Sequence, residues 1–315
     1  RRSDLVDATA RAVTGTRHAG WRSGSKRDTS ATEIIDPMPI RKSLRASVLL
    51  AEDNPVNVEV AKEYLASFGC TVVSVGNGLE AVAAMKNAKF DVVLMDCQMP
   101  IMDGLTATRR VREMERDSGR AATPIIALTA NAFAEDRERC LAAGMNDYLS
   151  KPYSEAQIYS AIETWMKPSA ASRDAAPAAS SRQHATPEAR EAVLDEAVLA
   201  PLRTKRPDLL ARIIKTYLEH APVALADLMA AAQDGDCERM GRQAHSLKSS
   251  SANLGASALS ALCRDLEKAA GTGDTDAARG LAAKIEAGFE AVRTALATGT
   301  EGLAPSHAKA AKAAG

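Results

Sequence analysis

The chain has 315 residues, enough for about two domains of ordinary size. Its 40 Lys and Arg balance its 40 Asp and Glu, which argues against nucleic acid or an anionic membrane as the main partner. Hydrophobic residues make up 46% of the chain, so it is not disordered throughout. No apolar run reaches the roughly 18 residues that a membrane span requires. We expect a folded segment that contacts neither nucleic acid nor a membrane.

The N-terminus and the cysteines indicate whether the chain is a fragment and in which kind of compartment it occurs. The chain begins Arg1-Arg2, without an initiator Met or a signal peptide, so we expect a fragment of a longer protein. The 5 Cys are scattered and odd in number, with no Cys-x-x-Cys pair. This pattern is typical of reduced cysteines in a cytoplasmic protein, not of a zinc site or a disulfide framework.

Charge and composition divide the chain into regions. The first 45 residues carry a net charge of +5, whereas two later regions are acidic, at −5 and −2. Ala, Ser and Pro supply 14 of the 20 residues at 168–187, which cannot bury enough apolar surface to fold. The expected division is a linker at 15–45, a domain at 46–167, a linker at 168–187, a domain at 188–300 and a disordered tail at 301–315.

The first domain alternates short apolar runs with amphipathic stretches. The runs are rich in Val, Ile and Leu and do not alternate, as expected of strands buried on both faces. In the first stretch between them, apolar residues recur at helical spacing, from Val56 and Val60 to Leu65 and Phe68. We predict a doubly wound α/β domain with a parallel sheet of five strands. The predicted strands are 48–51, 72–75, 92–95, 125–128 and 147–150.

The second domain has no strand pattern. Glycines mark the breaks between helical stretches, and the short connections favour antiparallel neighbours, so we predict an all-α helix bundle. Pro222 falls inside the long second helix and should kink it. The predicted helices are near 192–202, 208–232, 237–254, 257–270 and 275–297.

Polar residues follow the predicted strands at their carboxyl ends, which in an open parallel sheet is where ligands bind. Glu52 and Asp53 follow the first strand, Asp96 the third, Thr129 the fourth and Lys151 the fifth. Crowded carboxylates need a cation, and Mg²⁺ prefers such oxygen ligands. A carboxylate is also able to take up a phosphoryl group, whose oxygens a hydroxyl and an ammonium would hold. We predict that Asp96 is the nucleophile, that the other two carboxylates hold the metal, and that Thr129 and Lys151 grip the phosphoryl group.

These residues occur in a wider pattern that resembles the response-regulator receiver domain over 46–167. The matching elements are Glu52-Asp53-Asn54, Met95-Asp96, Met99-Pro100, Asp103-Gly104, Leu128-Thr129-Ala130 and Lys151-Pro152. The resemblance implies a flavodoxin-like sheet in the order 2-1-3-4-5 and a cis peptide at Lys151-Pro152. It also implies that the backbone carbonyl of Gln98 is a metal ligand. Tyr148 would be the switch aromatic, which turns inward when Thr129 moves toward the phosphoryl group.

One histidine in the helical domain has a distinctive setting. On a helix, Lys248 and Ser249 share a face with His245, among small residues that leave the imidazole accessible. The run His245-Ser246-Leu247-Lys248 resembles the motif of the histidine phosphotransfer domain, and residues 188–300 resemble that family throughout. The resemblance implies a phosphohistidine at His245, with Lys248 favouring the attached group. Ser249 departs from the family, many of whose members carry Gly there, and its hydroxyl adds bulk beside the site.

The leader carries a trace of a further domain. Residues 1–14 align with the last predicted helix of the first domain at an offset of 153, so that Leu5 matches Ile158 and Ala8 matches Ala161. We interpret them as the last helix of a truncated preceding receiver. A stray amphipathic helix is the alternative.

Together the two domains resemble the C-terminal part of a hybrid sensor histidine kinase. The resemblance implies a relay in which an upstream histidine kinase core phosphorylates Asp96, His245 exchanges the group with Asp96, and a downstream response regulator follows. A non-catalytic binding module is one alternative. A full ATP-dependent kinase is another, but its ATP-binding core would have to lie outside this chain. A dehalogenase-type phosphatase needs Asp two residues after the nucleophile, where Gln98 stands.

Overall fold

The computed structural model describes residues 43–130, 134–166 and 193–299. Several predicted segments lie outside these residues and stay predictions. They are the leader helix at 1–14, nearly all of the linker at 15–45, the linker at 168–187 and the tail at 301–315.

Five parallel strands form one sheet in the order β2-β1-β3-β4-β5, which is the order that the receiver resemblance implies. The predicted strands are confirmed to within one residue at each end. They are β1 (Ser47–Ala51), β2 (Thr71–Val75), β3 (Val92–Asp96), β4 (Ile125–Thr129) and β5 (Asp147–Ser150).

Burial differs between the centre and the edges of the sheet. Every residue of β3 and β4 is buried, because helices cover both faces of the central strands. The expectation that all five strands are buried on both faces is wrong for β2 and β5. Both lie at an edge of the sheet, and Val73 in β2 is 44% exposed.

Five helices connect or follow the strands, and polar caps start three of them. The side chains of Asn54, Asn77 and Asp103 each accept a hydrogen bond from a backbone N–H of the first helical turn. The helices are α1 (Pro55–Ser67), α2 (Gly78–Asn87), α3 (Gly104–Asp117), α4 (Ala134–Ala142) and α5 (Glu155–Met166).

Helix α1 has two apolar faces. Ala61 and Leu65 pack into the core between the sheet and α5. Val56 and Val60 instead belong to the core of the helical region, although they are part of the α/β region in sequence. Helix α1 therefore joins the two folded regions, with one face in each hydrophobic core.

The second region is entirely helical in its described part, as predicted, and Tyr217 is buried in its core. Its first helix begins later than expected because Asp195 caps it. Helix α7 continues through Pro222 as a single helix. Nowhere in the described segments is a helix both long and apolar enough to span a bilayer. The helices are α6 (Glu196–Lys205), α7 (Pro207–Asp234), α8 (Cys237–Asn253), α9 (Ser257–Gly271) and α10 (Thr275–Gly299).

Candidate functional site

Three carboxylates meet where two neighbouring parallel strands end. Glu52 and Asp53 follow β1, and Asp96 is the last residue of β3. One oxygen atom of each carboxylate lies within 4.8 Å of the others. Glu52 and Asp96 are buried, whereas Asp53 is exposed to solvent. The structure thus brings together the acidic residues that the sequence placed at the strand ends.

A buried ammonium group faces this acidic cluster. Lys151 follows β5, and its Nζ lies 2.5 Å from Oε2 of Glu52 and 2.6 Å from Oδ2 of Asp96. Burial opposes the charge of Lys151, but Asp96 and Glu52 raise its pKa well above its ordinary value. The peptide bond between Lys151 and Pro152 is cis, as the resemblance implies.

Burial and mutual repulsion still disfavour the ionised forms of Glu52 and Asp53 although Lys151 is close. Burial raises the pKa of Glu52 to about 8; Lys151 opposes the rise and Asp96 adds to it. Surrounding protein desolvates Asp53 although part of its side chain reaches solvent, and this, together with repulsion from Asp96, raises its pKa to about 6. Three carboxylates facing one ammonium leave an excess of negative charge that an added cation would neutralise.

A glycine fixes the backbone around Asp96. Gly104 is the first residue of α3, and its N–H donates to the carbonyl oxygen of Cys97 at 3.1 Å. A Cβ atom at Gly104 would lie 2.0 Å from the carbonyl oxygen of Asp96, closer than any side chain allows. The backbone N–H of Gln98 donates to Oδ1 of Asp96 at 3.2 Å. The glycine of the Asp103-Gly104 motif is therefore required by this close approach.

The other two predicted receiver residues lie on β4 and β5. Thr129 ends β4, is nearly buried and lines the same cavity as Asp96. Tyr148 is half-buried on β5, with the guanidinium of Arg137 from α4 lying 5.8 Å from its ring centroid. In this conformation, Tyr148 packs beside α4.

His245 on α8 is held by a carboxylate from the next helix. Its Nδ1 lies 2.6 Å from Oε1 of Glu267 on α9, and Lys248 contacts the other carboxylate oxygen. Burial alone would raise the pKa of Glu267, but the contacts with His245 and Lys248 lower it below its ordinary value. Because an ionised carboxylate only accepts hydrogen bonds, Nδ1 carries the proton and Nε2 of a neutral ring carries the lone pair. Nε2 is buried and has no hydrogen-bond partner among the described residues.

Asn54, which caps α1, and Asn57 of α1 contact the helix that carries His245. Nδ2 of Asn54 donates to the carbonyl and hydroxyl oxygens of Ser246, at 2.9 and 3.0 Å. Nδ2 of Asn57 lies 3.1 Å from Oγ of Ser249 and 2.7 Å from Oε1 of Glu52, and Oδ1 of Asn57 accepts from Asn253 at 2.8 Å. Ser249 thus contributes to the contact between the regions.

Ion pairs surround this contact. Arg212 on α7 lies 2.6 Å from Glu63 and 3.3 Å from Glu59, both on α1. Arg206 lies 2.8 Å from Glu155 on α5, and its guanidinium is 5.5 Å from the ring centroid of Tyr64. Basic side chains of the helical region therefore face acidic side chains of the α/β region. We call this surface of α1, α5, α7 and α8 the docking interface.

Docking brings the two predicted phosphoryl-carrying residues to one cavity. A cavity of about 360 Å³ is lined by Asp96, Thr129 and His245, together with Cys97 and Cys140. Only 12% of the His245 side chain is exposed in this docked arrangement, because the position that the sequence predicts to be accessible to a docking partner faces the α/β region here. The α/β region covers the imidazole that small neighbours on its own helix would leave open.

Sequence reasoning did not identify Glu267, Asn57 or Arg212. Glu267 is 22 residues from His245 along the chain, so no local motif connects them. Across the docking interface, the contact of Asn57 with Ser249 and that of Arg212 with Glu63 each join residues more than a hundred positions apart in the sequence. A weak signal was present in α1, where Val56 and Val60 form a second apolar stripe that a solvent-exposed helix face would not need.

Two family models match the chain and agree with these two regions. The model for the response regulator receiver domain matches residues 48–163, and the model for the Hpt domain, the histidine phosphotransfer domain, matches residues 212–295. The first match contains the acidic cluster and the second contains His245. The chain therefore contains a receiver domain followed by an Hpt domain, and this pair of domains indicates a two-component phosphorelay module.

Similar sequences among curated proteins indicate the kind of protein in which such segments occur. Sensor protein GacS of Pseudomonas syringae pv. syringae is 39% identical over 147 residues, which cover 44% of this chain and 16% of that protein. Hybrid signal transduction histidine kinase B of Dictyostelium discoideum is 42% identical over 119 residues, covering 35% of this chain and 6% of that protein. The chain thus spans less than a fifth of these relatives, and it is a receiver-plus-Hpt segment similar to parts of hybrid sensor histidine kinases.

Solved structures include similar chains. The magnesium-bound receiver domain of sensor histidine kinase PA1611 from Pseudomonas aeruginosa PAO1 is 45% identical, with a TM-score of 0.36, covering 38% of this chain and 97% of that one. The complex of the Saccharomyces cerevisiae phosphotransfer protein Ypd1 with the receiver domain of Ssk1 gives 30% identity and a TM-score of 0.38. That match covers 38% of this chain and 88% of the other.

Proposed function

We propose that Asp96 accepts a phosphoryl group and exchanges it with His245 within one chain. The observation that carries this proposal is that both residues line one cavity when the helical domain docks on the receiver. A carboxylate and an imidazole are both nucleophiles for phosphoryl transfer, and docking holds them without a diffusional search. Neither group needs ATP for this exchange.

The acidic cluster fits a hard divalent cation. Three carboxylate oxygens lie close enough to bind one ion. Burial raises the pKa values of Glu52 and Asp53, and repulsion from Asp96 adds to the rise, which a bound cation would relieve. We assign Mg²⁺ to this site, held by Glu52, Asp53, Asp96 and the backbone carbonyl of Gln98. Bound there, the ion would offset the negative charge of the phosphoryl oxygens.

The protein's own cations and donors act on the same oxygens. Lys151 already contacts Asp96 and is positioned to pair with a phosphoryl oxygen once that group is attached. Thr129 lines the cavity and supplies a hydroxyl donor at the end of the neighbouring strand. We assign Tyr148 the role of the switch residue, whose ring turns inward, away from α4, when Thr129 moves toward the phosphoryl group.

Transfer to the histidine needs no proton to leave the imidazole during the step. The lone pair of Nε2 forms the new bond to phosphorus while the bond from phosphorus to the Asp96 carboxylate breaks and returns a carboxylate. Nδ1 keeps its proton, and Glu267 balances the positive charge that develops on the ring. Lys248 then faces an anionic phosphoryl group. The reverse reaction uses the same groups in the opposite order.

The partners follow from the two domain types. A histidine kinase core, in the parent protein or in a second one, would supply phosphoryl groups to Asp96, and a downstream response regulator would receive them from His245. Because the receiver covers His245 in this structure, the docking interface must open before such a regulator reaches the imidazole. Intrachain transfer and output therefore alternate.

The test is intact-mass analysis of the chain after incubation with acetyl phosphate and Mg²⁺. We expect an alkali-labile acyl phosphate in the parent protein and alkali-stable label on His245. Asp96→Asn should lose both labels, and His245→Gln should lose only the stable one. The matched controls are Asp117→Asn and His220→Gln, which replace exposed residues of the same types. Stable label that persists in Asp96→Asn would refute the relay, and absence of all label would favour a binding-only module.

A further inference from the structure

Two free cysteines face each other beside Asp96. Sγ of Cys97 lies 3.5 Å from Sγ of Cys140, and neither belongs to a disulfide. Cys97 follows Asp96 directly at the end of β3, and Cys140 lies in the last turn of α4. The two residues are 43 positions apart, so only the fold brings them together.

Both partners are held in place by backbone contacts. The N–H of Cys97 donates to Leu128 of β4 at 3.0 Å, and its carbonyl accepts from Gly104. The carbonyl of Cys140 accepts from the N–H of Met145 at 3.1 Å as the chain turns toward β5. The sulfurs need to close from 3.5 Å to the bond length of about 2.0 Å found in disulfides.

We propose that Cys97 and Cys140 form an oxidation-sensitive site whose disulfide slows phosphoryl acceptance at Asp96. Both cysteines line the cavity of about 360 Å³ that Asp96 also lines, and we expect a small peroxide to enter through the same space as the phosphoryl donor. Cys70 precedes β2, Cys237 begins α8 and Cys263 lies within α9, so these three cysteines are in other parts of the fold. The site thus distinguishes one pair among the five cysteines.

The chemistry needs hydrogen peroxide as the oxidant. The Cys140 thiolate attacks one peroxide oxygen, the O–O bond breaks, and a sulfenic acid and one hydroxide form. The Cys97 sulfur then attacks the sulfenic sulfur, the S–O bond breaks, and a second hydroxide leaves. With the two thiol protons, the products are one disulfide and two waters, and two electrons pass from the sulfurs to the peroxide.

The disulfide changes the cavity that a phosphoryl group must enter. It would tie the residue after Asp96 to α4, the helix that follows Thr129 in the chain. Because the two cysteines form part of the cavity wall, a bond between them would fix that part of the wall beside Asp96. The loss of phosphorylation rests on the proposed function, whereas formation of the disulfide does not.

The experiment treats the full chain with hydrogen peroxide, quenches it, and maps disulfides by mass spectrometry before labelling with acetyl phosphate and Mg²⁺. We expect a peptide linking Cys97 to Cys140 within one chain and a severalfold loss of the labelling rate that a thiol reductant reverses. Cys140→Ser should lose both the linked peptide and the sensitivity to peroxide, whereas Cys237→Ser should keep both. Each rate is expressed relative to the reduced form of the same variant.

The two readouts separate the failure of each idea. If peroxide leaves Cys97 and Cys140 unlinked, or links them to other cysteines, the site is refuted. If the linked protein is labelled as fast as the reduced protein, the effect on Asp96 is refuted. If the reduced protein takes no label at all, the proposed function fails and the regulatory effect fails with it, while the mapped peptide still decides whether the disulfide forms.

Discussion

The ion pairs of Arg212 offer a direct test of intrachain docking. This side chain on α7 contacts Glu63 at 2.6 Å and Glu59 at 3.3 Å, both across the docking interface. We propose to reverse its charge with Arg212→Glu in the full chain. The substitution removes two attractions and introduces repulsion at a surface where the two domains meet, and it leaves the acidic cluster and His245 untouched.

The size of the effect follows from the exposure of the three side chains, which ranges from 33% to 48%. Partly exposed pairs contribute about 0.5 kcal/mol each, so the two together stabilise docking by about 1 kcal/mol. Reversal replaces this by repulsion of similar size, a change of about 2 kcal/mol in the docking free energy. The ratio of docked to undocked chain should then fall about thirtyfold.

The assay is the rate at which phosphoryl label moves from Asp96 to His245 in a single turnover. We expect Arg212→Glu to slow transfer by up to the same factor, without changing the rate at which Asp96 is first labelled. Adding Glu63→Arg should restore part of the rate, since Glu59 keeps its charge. High salt should bring the parent protein toward the variant because it screens exposed pairs.

The control is Arg293→Glu, which changes the same charge on α10, where the partner is Glu290 of the same helix. Equal slowing in this control would mean that net charge, not the docking interface, sets the rate. Transfer at the parent rate in Arg212→Glu at low salt would refute the assignment of docking as the step that joins Asp96 to His245.

Three further predictions concern single positions. Gly104→Ala places a methyl group against the backbone of Asp96, so the labelling of Asp96 should fall about a hundredfold. The circular dichroism signal of the helices should not change, and normal labelling would contradict the close approach. Glu267→Gln removes the charge that faces the His245 ring, so the labelling of His245 should slow about fivefold while Asp96 is labelled at the normal rate. Equal slowing at both residues would indicate a general loss of structure. Asp53→Asn should raise the Mg²⁺ concentration needed for half-maximal labelling at least about tenfold, and an unchanged titration would remove this residue from the metal site.

The features that follow from local pattern were predictable. Buried runs rich in Val and Ile specify strands, and the polar residues that end them meet at one edge because the strands are parallel. The sequence alone therefore predicts that Asp96, Lys151 and the other strand-end residues lie together. The edge positions of β2 and β5 do not follow from the apolar runs, which do not tell which strands have a neighbour on both sides; they followed only from the strand order that the receiver resemblance implies.

What sequence patterns could not provide was the contact between the two domains. Val60 and Leu65 both fit one amphipathic helix, and only the fold separates them into faces that belong to different cores. Glu267 reaches His245 from a separate helix, at a distance in sequence where no periodicity connects them. Such contacts depend on how whole elements pack, which the order of residues in any one element does not specify.

The amide of Asn57 couples two equilibria that would otherwise be separate. One amide nitrogen donates both to Glu52 in the acidic cluster and to Ser249 across the docking interface. Any ligand whose binding to the cluster favours one position of this amide must change the affinity of the two domains for each other. By thermodynamic reciprocity, docking changes the affinity of the cluster for that ligand by the same factor. A single side chain thereby lets the loading state of the receiver and the position of the histidine domain influence each other.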